Sequence, residues 1–85
     1  MKIDSKSQEK VISLLKERHL LYTGLSRERA ERDPYWFYKH SLSKNDYLEW
    51  VEFGVNSIMS VAKIDRRNAE VEMAWLEGTY GIKVK

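Results

Sequence analysis

The sequence contains no cysteine, one proline and four glycines among its 85 residues. Without cysteine the chain can form neither a disulfide framework nor a thiolate metal site, and it has no thiol nucleophile. The longest uninterrupted apolar runs, such as the one at 35–38, have four residues, far too few for a membrane span or the core of a secretion signal. We therefore expect one small globular domain, residues 1–85, that lies in the cytoplasm and does not associate with a membrane.

The sequence also lacks an excess of charge and any catalytic motif. Fifteen Lys and Arg are balanced by thirteen Asp and Glu, and a net charge of +2 excludes a purely electrostatic partner. His19 and His40 are far apart, and neither has an acid or second histidine at metal-ligand spacing, so we interpret both as surface or interface residues. Glu49 and Glu52 are interpreted as solvated, with a shared cation as the alternative. We expect no enzyme activity, no cofactor and no metal.

The region from Ser5 to Leu25 has the spacing of an amphipathic helix, because apolar residues recur every three or four positions. Ser5 and Gln8 have the spacing of a capping box, and Gly24 offers a left-handed stop. The predicted core-facing stripe consists of Val11, Leu14, Leu15, Arg18, Leu21, Tyr22 and Leu25.

A short charged helix is predicted over 27–32, with Ser26 as its cap. Pro34 prevents easy continuation because the residue before a proline is pushed towards extended geometry. The aromatic run at 35–38 follows, and its lack of helical or strand periodicity predicts an irregular or one-turn plug.

The strongest predicted helix begins at Ser43, with Asp46 in its first turn, where the helix dipole favours an acid. Gly54 within it would permit the close approach of another backbone. The apolar seam of this helix consists of Leu48, Val51, Val55, Ile58 and Ala62.

Two interpretations remain open beyond Ala62. Asp65 could cap a separate helix from Arg66 to Glu77 that stops at Gly78, whereas the lack of Gly and Pro between Val55 and Glu77 also allows one long helix. The tail 79–85 alternates in polarity and predicts a short strand, paired with residues 1–3 or with a second subunit. The expected fold is mainly α, with three or four helices and a short C-terminal β-strand.

Aromatic residues are abundant: three Trp, five Tyr and two Phe. A monomer of this size has little interior room for so many large rings, so we expect a homodimer that buries Trp36 or Trp50 and pairs the two tails. Trp50 and Trp75 lie within predicted helices and are expected to be packing residues.

Basic residues form two groups that suggest contact with RNA. Guanidinium groups bind phosphate, and nearby aromatic faces stack on bases, which is how single-stranded nucleic acid is held. On a continuous helix Lys63, Arg66 and Arg67 would share one face; the alternative is a solubilising charged face over an aromatic core. The candidate RNA-binding residues are Lys63, Arg66, Arg67, Arg27, Arg29 and Lys39. The candidate partner-binding residues are Tyr35, Trp36 and Tyr38.

In size, cysteine content and aromatic richness the chain resembles the small early proteins with which tailed phages redirect or disarm their host. Within that group it is similar to an RNA-binding inhibitor of ToxN-type endoribonuclease toxins. The residues that carry the resemblance are Arg27, Arg29, Lys63, Arg66 and Arg67, together with the aromatic run 35–38. The resemblance implies an inhibitor that uses RNA to hold a host toxin inactive. The alternative is a protein-directed inhibitor or adaptor that acts through an aromatic hot spot without nucleic acid.

Overall fold

The computed structural model describes residues 3–24, 26, 28, 32 and 42–80. Three α-helices have their bounds within this part of the chain: α1 (Ser5–Thr23), α2 (Lys44–Ala62) and α3 (Arg66–Tyr80). The mainly helical prediction is confirmed. Two residues of the predicted short helix at 27–32 are described. Glu28 is helical, Arg32 lies in a turn, and their side chains form an ion pair at 3.0 Å.

Helix α1 begins one residue earlier than a capping box at Ser5 predicts. Asp4 is the N-cap, and its carboxylate accepts hydrogen bonds from the backbone N–H and the hydroxyl of Ser7 at 2.8 and 3.1 Å. The backbone bond from Ser7 lowers the pKa of Asp4. Asp is as good an N-cap as Ser, which explains the shift of one residue. The predicted stop is confirmed, because Gly24 has a φ of 72° and donates its N–H to the carbonyl of Leu20.

The break between α2 and α3 is built from two local devices. Lys63 adopts a left-handed backbone, with φ 55° and ψ 47°, and ends α2. Two residues later, the carboxylate of Asp65 accepts the N–H of Asn68 at 2.9 Å and caps α3. Of the two interpretations that the sequence left open, the structure therefore shows two separate helices with Asp65 as the cap of the second, and not one long helix. The predicted start of α2 is also confirmed, since Ser43 accepts the N–H of Asp46 at 3.3 Å.

Helix α3 continues past its predicted stop. Gly78 lies inside the helix, and Thr79 and Tyr80, expected in a strand, are helical. Glycine in a helix costs only about 1 kcal/mol, so it does not end a helix without a left-handed conformation. The last turns are also tied to α2, because the Tyr47 hydroxyl donates a hydrogen bond to the carboxylate of Glu77. The rest of the predicted strand, 81–85, lies outside the described residues.

Helix α2 packs against both α1 and α3. The fully buried apolar side chains come from all three helices and from the residue before the cap of α2: Val11, Leu15, Leu42, Trp50, Val55, Ile58, Ala69, Met73 and Leu76. Gly54 lies where the flanking helices meet α2, since a Cβ there would be 2.6 Å from Met73 Sδ and 3.0 Å from Leu15 Cδ2. The predicted close approach of another backbone is wrong, because the atoms nearest to this position are side-chain atoms of Met73 and Leu15.

Two predictions about large side chains are wrong. His19 is completely buried and contacts Trp50 edge-on, with ring centroids 6.0 Å apart, so it is not a surface residue. Trp75 is 44% exposed and lies outside the core, which contradicts its predicted packing role. Trp50 is a packing residue as predicted: it is fully buried, and its Nε1 donates to the carbonyl of Leu15 at 3.0 Å. It is therefore not available to a dimer interface.

Within the described residues no helix combines the length and the apolar composition that a membrane crossing requires. His40 and the aromatic run 35–38 lie outside the described residues.

Candidate functional site

A groove runs along the surface between α1 and α2. It consists of two cavities of about 360 and 350 Å³ that share Leu14 and Phe53 and therefore adjoin. Helix α1 contributes Lys10, Leu14, Glu17, Arg18 and Leu21. Helix α2 contributes Phe53, Asn56, Ser57, Ser60 and Val61. We call this feature the α1–α2 groove.

The spacing of residues along each helix produces the groove. On α1, Lys10, Leu14 and Arg18 follow one another at four-residue intervals and therefore lie along one line of the helix surface. On α2, Phe53 and Ser57 have the same spacing. The two helices run antiparallel, because Arg18 meets Phe53 whereas Lys10, two turns earlier on α1, lines the same cavity as Ser60, two turns later on α2.

The floor of the groove is apolar and partly open to solvent. Leu14 and Phe53 are half-buried. Leu21, at one end, is 74% exposed, more than any other large apolar side chain among the described residues. The sequence placed Leu21 in the core-facing stripe of α1, and that prediction is wrong, because the core side of this helix is occupied by Val11, Leu15 and His19. The exposed Leu21 therefore extends the apolar surface of Leu14 and Phe53 at one end of the groove.

The two walls of the groove differ in charge. On the α1 wall, the Arg18 guanidinium lies over the Phe53 ring, 4.3 Å from its centroid, in a cation–π contact. Lys10 is exposed on the same wall, and Glu17 lies beside Arg18. The α2 wall is neutral, since no residue between Phe53 and Ala62 is charged. Cationic side chains therefore flank an apolar floor on one side only.

Glu49 and Glu52 have separate partners on different helices. Glu49 accepts a hydrogen bond from the Tyr22 hydroxyl of α1 at 3.4 Å, and burial together with this carboxylate raises the pKa of Tyr22. Glu52 accepts two hydrogen bonds from Arg66 of α3, at 2.8 and 2.6 Å. These contacts argue against the alternative in which the two carboxylates share a cation. Within the described residues no group of three His, Asp or Glu is arranged to hold a metal ion.

The predicted cationic face is not one helix face. Lys63 lies in the left-handed turn that ends α2, whereas Arg66 and Arg67 begin α3, so the helical spacing on which the prediction depends does not apply. Arg66 is engaged by Glu52, and its hydrogen bonds lower the pKa of that carboxyl. All three cations are nonetheless exposed near the same turn.

The other predicted site residues lie outside the described residues. These are Arg27, Arg29 and Lys39 of the predicted RNA-binding set, and Tyr35, Trp36 and Tyr38 of the predicted partner-binding set.

Sequence reasoning missed the α1–α2 groove. The available signal was the uncharged stretch 53–62, in which Asn56, Ser57 and Ser60 fall on the outer side of a strongly predicted helix. A solvated helix face normally carries charged residues, so small neutral side chains at these positions indicate a face that another element approaches. Comparison of the chain with protein-family models, with curated proteins and with solved structures gives no significant match.

Proposed function

We propose that this chain is a small helical binding domain that inhibits or recruits a partner protein by docking a segment of it in the α1–α2 groove. The observation that carries the proposal is the apolar floor of Leu14 and Phe53, continued by the exposed Leu21 and bordered by small neutral residues of α2. Shallow apolar grooves between helices take amphipathic segments of other proteins, whereas small-molecule sites enclose most of their ligand.

This proposal favours the protein-directed inhibitor or adaptor over the RNA-dependent inhibitor. It retains the expected setting of a phage-type protein that acts on a host defence protein, such as an endoribonuclease toxin, in the cytoplasm. It does not require catalysis, because docking a partner segment forms and breaks no covalent bond.

Site-specific photo-crosslinking tests the proposal. A photoreactive phenylalanine analogue placed at Ser60, on the groove, is expected to capture a discrete partner protein in the cells that produce the chain. The same analogue at Ser13, which is exposed on α1 but does not line the groove, is the matched control. Replacing Leu14 by Glu should abolish the Ser60 adduct. Equal capture from both positions, or no protein adduct from Ser60, would overturn the proposal.

A second candidate function is RNA binding at the turn between α2 and α3. It is supported by Lys63 and Arg67, which are exposed and form no ion pair with another described residue. Each single-strand phosphate contact contributes a slope of roughly 0.7 to the salt dependence of affinity. Changing both residues to Glu should therefore reduce the slope of RNA affinity against salt by about 1.4, measured by filter binding. The control is the double variant Lys6→Glu, Lys16→Glu, which makes the same change in net charge away from this turn. An unchanged slope in the Lys63, Arg67 variant would exclude RNA binding at the turn.

We also propose that the chain forms a homodimer. Val71 and Trp75 are 55% and 44% exposed and lie one turn apart on α3, which gives a second copy an apolar face to contact. The predicted strand is retained only over 81–85, where it would pair with the same segment of the second copy.

A further inference from the structure

We infer that the occupant of the α1–α2 groove is an acidic amphipathic helix of the partner. Its apolar side chains would contact Leu14 and Phe53, and its carboxylates would face Lys10 and Arg18. This inference rests on the proposed protein-binding function and deepens it by naming the chemistry of the partner.

The geometry of the groove favours a helix over an extended peptide. Both walls are helices whose backbone groups are already paired within the helix, so an added strand would find no hydrogen-bonding edge. A helix brings its own backbone hydrogen bonds and needs only side-chain contacts. From Lys10 to Leu21 the groove follows α1 for about 16 Å, which matches roughly three turns of a docked helix.

The small side chains of the α2 wall allow such a helix to pack closely. Ser57 and Ser60 project little from α2, and Asn56 beside them is also uncharged. Helices approach each other to about 8–10 Å between axes when small residues face the contact. A partner ridge of Leu or Ile residues could then reach Leu14 and Phe53 on the floor.

The positive charges along α1 indicate that the partner helix is acidic. Lys10 and Arg18 are eight residues apart on α1, about 12 Å along its axis, and neither forms an ion pair with another described residue. Carboxylates seven or eight residues apart on a docked helix have the same separation. Glu17 stands beside Arg18 and partly offsets it, so Lys10 is the stronger of the two cationic positions.

The test uses two designed peptides of about 18 residues, long enough to form helix when bound. Both carry Leu every three or four residues; one has Glu on both flanks of this stripe, and its twin has Lys at each of those positions. Titration into isotope-labelled protein is followed by amide chemical shifts. The Glu peptide is expected to shift Leu14, Phe53 and Ser57 saturably, and the Lys twin is expected to bind more weakly.

A second experiment reverses one charge at the groove and repeats both peptide titrations. Lys10→Glu should weaken the Glu peptide roughly three- to tenfold and strengthen the Lys twin, since an attractive exposed pair becomes a repulsive one. Lys16→Glu makes the same charge change at an exposed position of α1 that does not line the groove, and it should leave both affinities unchanged. The amide spectra of the two variants report whether they fold.

Several results would overturn the inference: no saturable shift at the groove, equal affinity for the two peptides, or shifts at Val71 and Trp75 instead. Groove shifts produced by a single-stranded oligouridylate and not by the Glu peptide would also overturn it and would assign the site to RNA. If Ser60 captures a partner protein while the Glu peptide fails, the proposed function stands and only the acidic helix is wrong. If both experiments fail, the proposed function fails as well.

Discussion

Individual residues define the electrostatics of this molecule through contacts that join neighbouring helices. Tyr47 is half-buried between α2 and α3, and burial together with its hydrogen bond to Glu77 raises the pKa of the phenol to about 12. Tyr22 makes the corresponding contact on the other side of α2, to Glu49, and its pKa is also raised. In two of the five tyrosines, packing of α2 against its neighbours therefore raises the pKa above the ordinary value.

Tyr47 should titrate late in an alkaline titration followed by tyrosinate absorbance. Its folded pKa, about 12, lies above the unfolded value of 10.0, so its contribution to stability is fully present below pH 10 and is lost as the pH rises towards 12. Tyr47→Phe should remove the late component, and Glu77→Gln should move it to lower pH. A folded wild-type protein in which all tyrosines titrate together near the ordinary pKa would contradict this assignment.

The two helical tryptophans should differ strongly when each is truncated. Trp50→Ala removes a fully buried ring and its hydrogen bond to Leu15, so it should reduce the free energy of unfolding by about 3–5 kcal/mol. Trp75→Ala, the control at a 44% exposed position, should reduce it by about 1 kcal/mol or less. Urea unfolding followed by circular dichroism measures both; similar losses would mean that Trp75 belongs to the core.

At the scale of the helices, packing against α2 depends on the missing side chain of Gly54. An added Cβ there would come within 2.6 Å of Met73 Sδ and 3.0 Å of Leu15 Cδ2, and both of these side chains are buried in the core. Gly78, in contrast, has no heavy atom within 4 Å of its Cβ position. The two helical glycines therefore form a matched pair, one at a helix contact and one with open space around it.

Alanine should have opposite effects at these two positions. Gly54→Ala should destabilise the protein by about 1–2 kcal/mol, because overpacking costs more than the gain in helix propensity. Gly78→Ala should stabilise it by about 0.5–1 kcal/mol, because alanine is the better helix former and meets no neighbour. Thermal unfolding of both variants shows whether each change stabilises or destabilises the protein. Stabilisation by Gly54→Ala would contradict the prediction and would show that the Met73 side chain can move aside at little cost.

The contact between α2 and α3 also holds Arg66, one of the candidate RNA-binding residues, in an ion pair. Arg66 is held by Glu52 with both side chains about half exposed, and the hydrogen bonds from Arg66 lower the pKa of Glu52. The contribution of the ionised Glu52 to stability is therefore fully present above pH 4.5, the ordinary carboxyl pKa. It is lost as the pH falls through the lower pKa that Glu52 has in the folded protein.

Removing the Glu52 charge separates the structural role of Arg66 from an RNA-binding role. Glu52→Gln frees the guanidinium, so RNA affinity should increase if the turn between α2 and α3 contacts phosphate. Stability should fall slightly at low salt and approach the wild-type value at high salt, because the pair is exposed and screened. The measurements are filter binding and thermal melts; unchanged RNA affinity in the folded variant argues for a purely structural pair.

At the scale of the whole molecule, the large apolar side chains that are exposed among the described residues lie on α1, α2 and α3. Leu21 borders the α1–α2 groove, Leu48 is 55% exposed on α2, and Val71 with Trp75 lies on α3. Contiguous apolar surface on a small domain is a candidate contact site, and the two binding proposals are based on these residues. The proposed partner site and the proposed dimer contact therefore lie on different helices.

Light scattering over a micromolar concentration series tests the proposed homodimer. We expect the molar mass to approach twice the 10.1 kDa of the chain as concentration rises. Replacing Val71 and Trp75 together by Gln should return it to the monomer value, whereas Leu21→Gln, at the groove, should not. A constant monomer mass in the wild type would contradict the dimer, and a dimer abolished only by Leu21→Gln would place the interface at the groove.

The sequence by itself determined the mainly helical class, the end of α1 and the start of α2. The start at Ser43 and the stop at Gly24 could be predicted, because caps and periodicity depend on residues within about four positions of one another. Asp65 could be identified as a possible cap, but the sequence did not decide between a break there and one long helix. The tertiary structure alone decided which side of α1 is the core, with His19 inside and Leu21 outside. It also decided the α1–α2 groove and the pairing of Arg66 with Glu52. Both depend on which helices pack together, and local patterns do not specify contacts between residues distant in the chain.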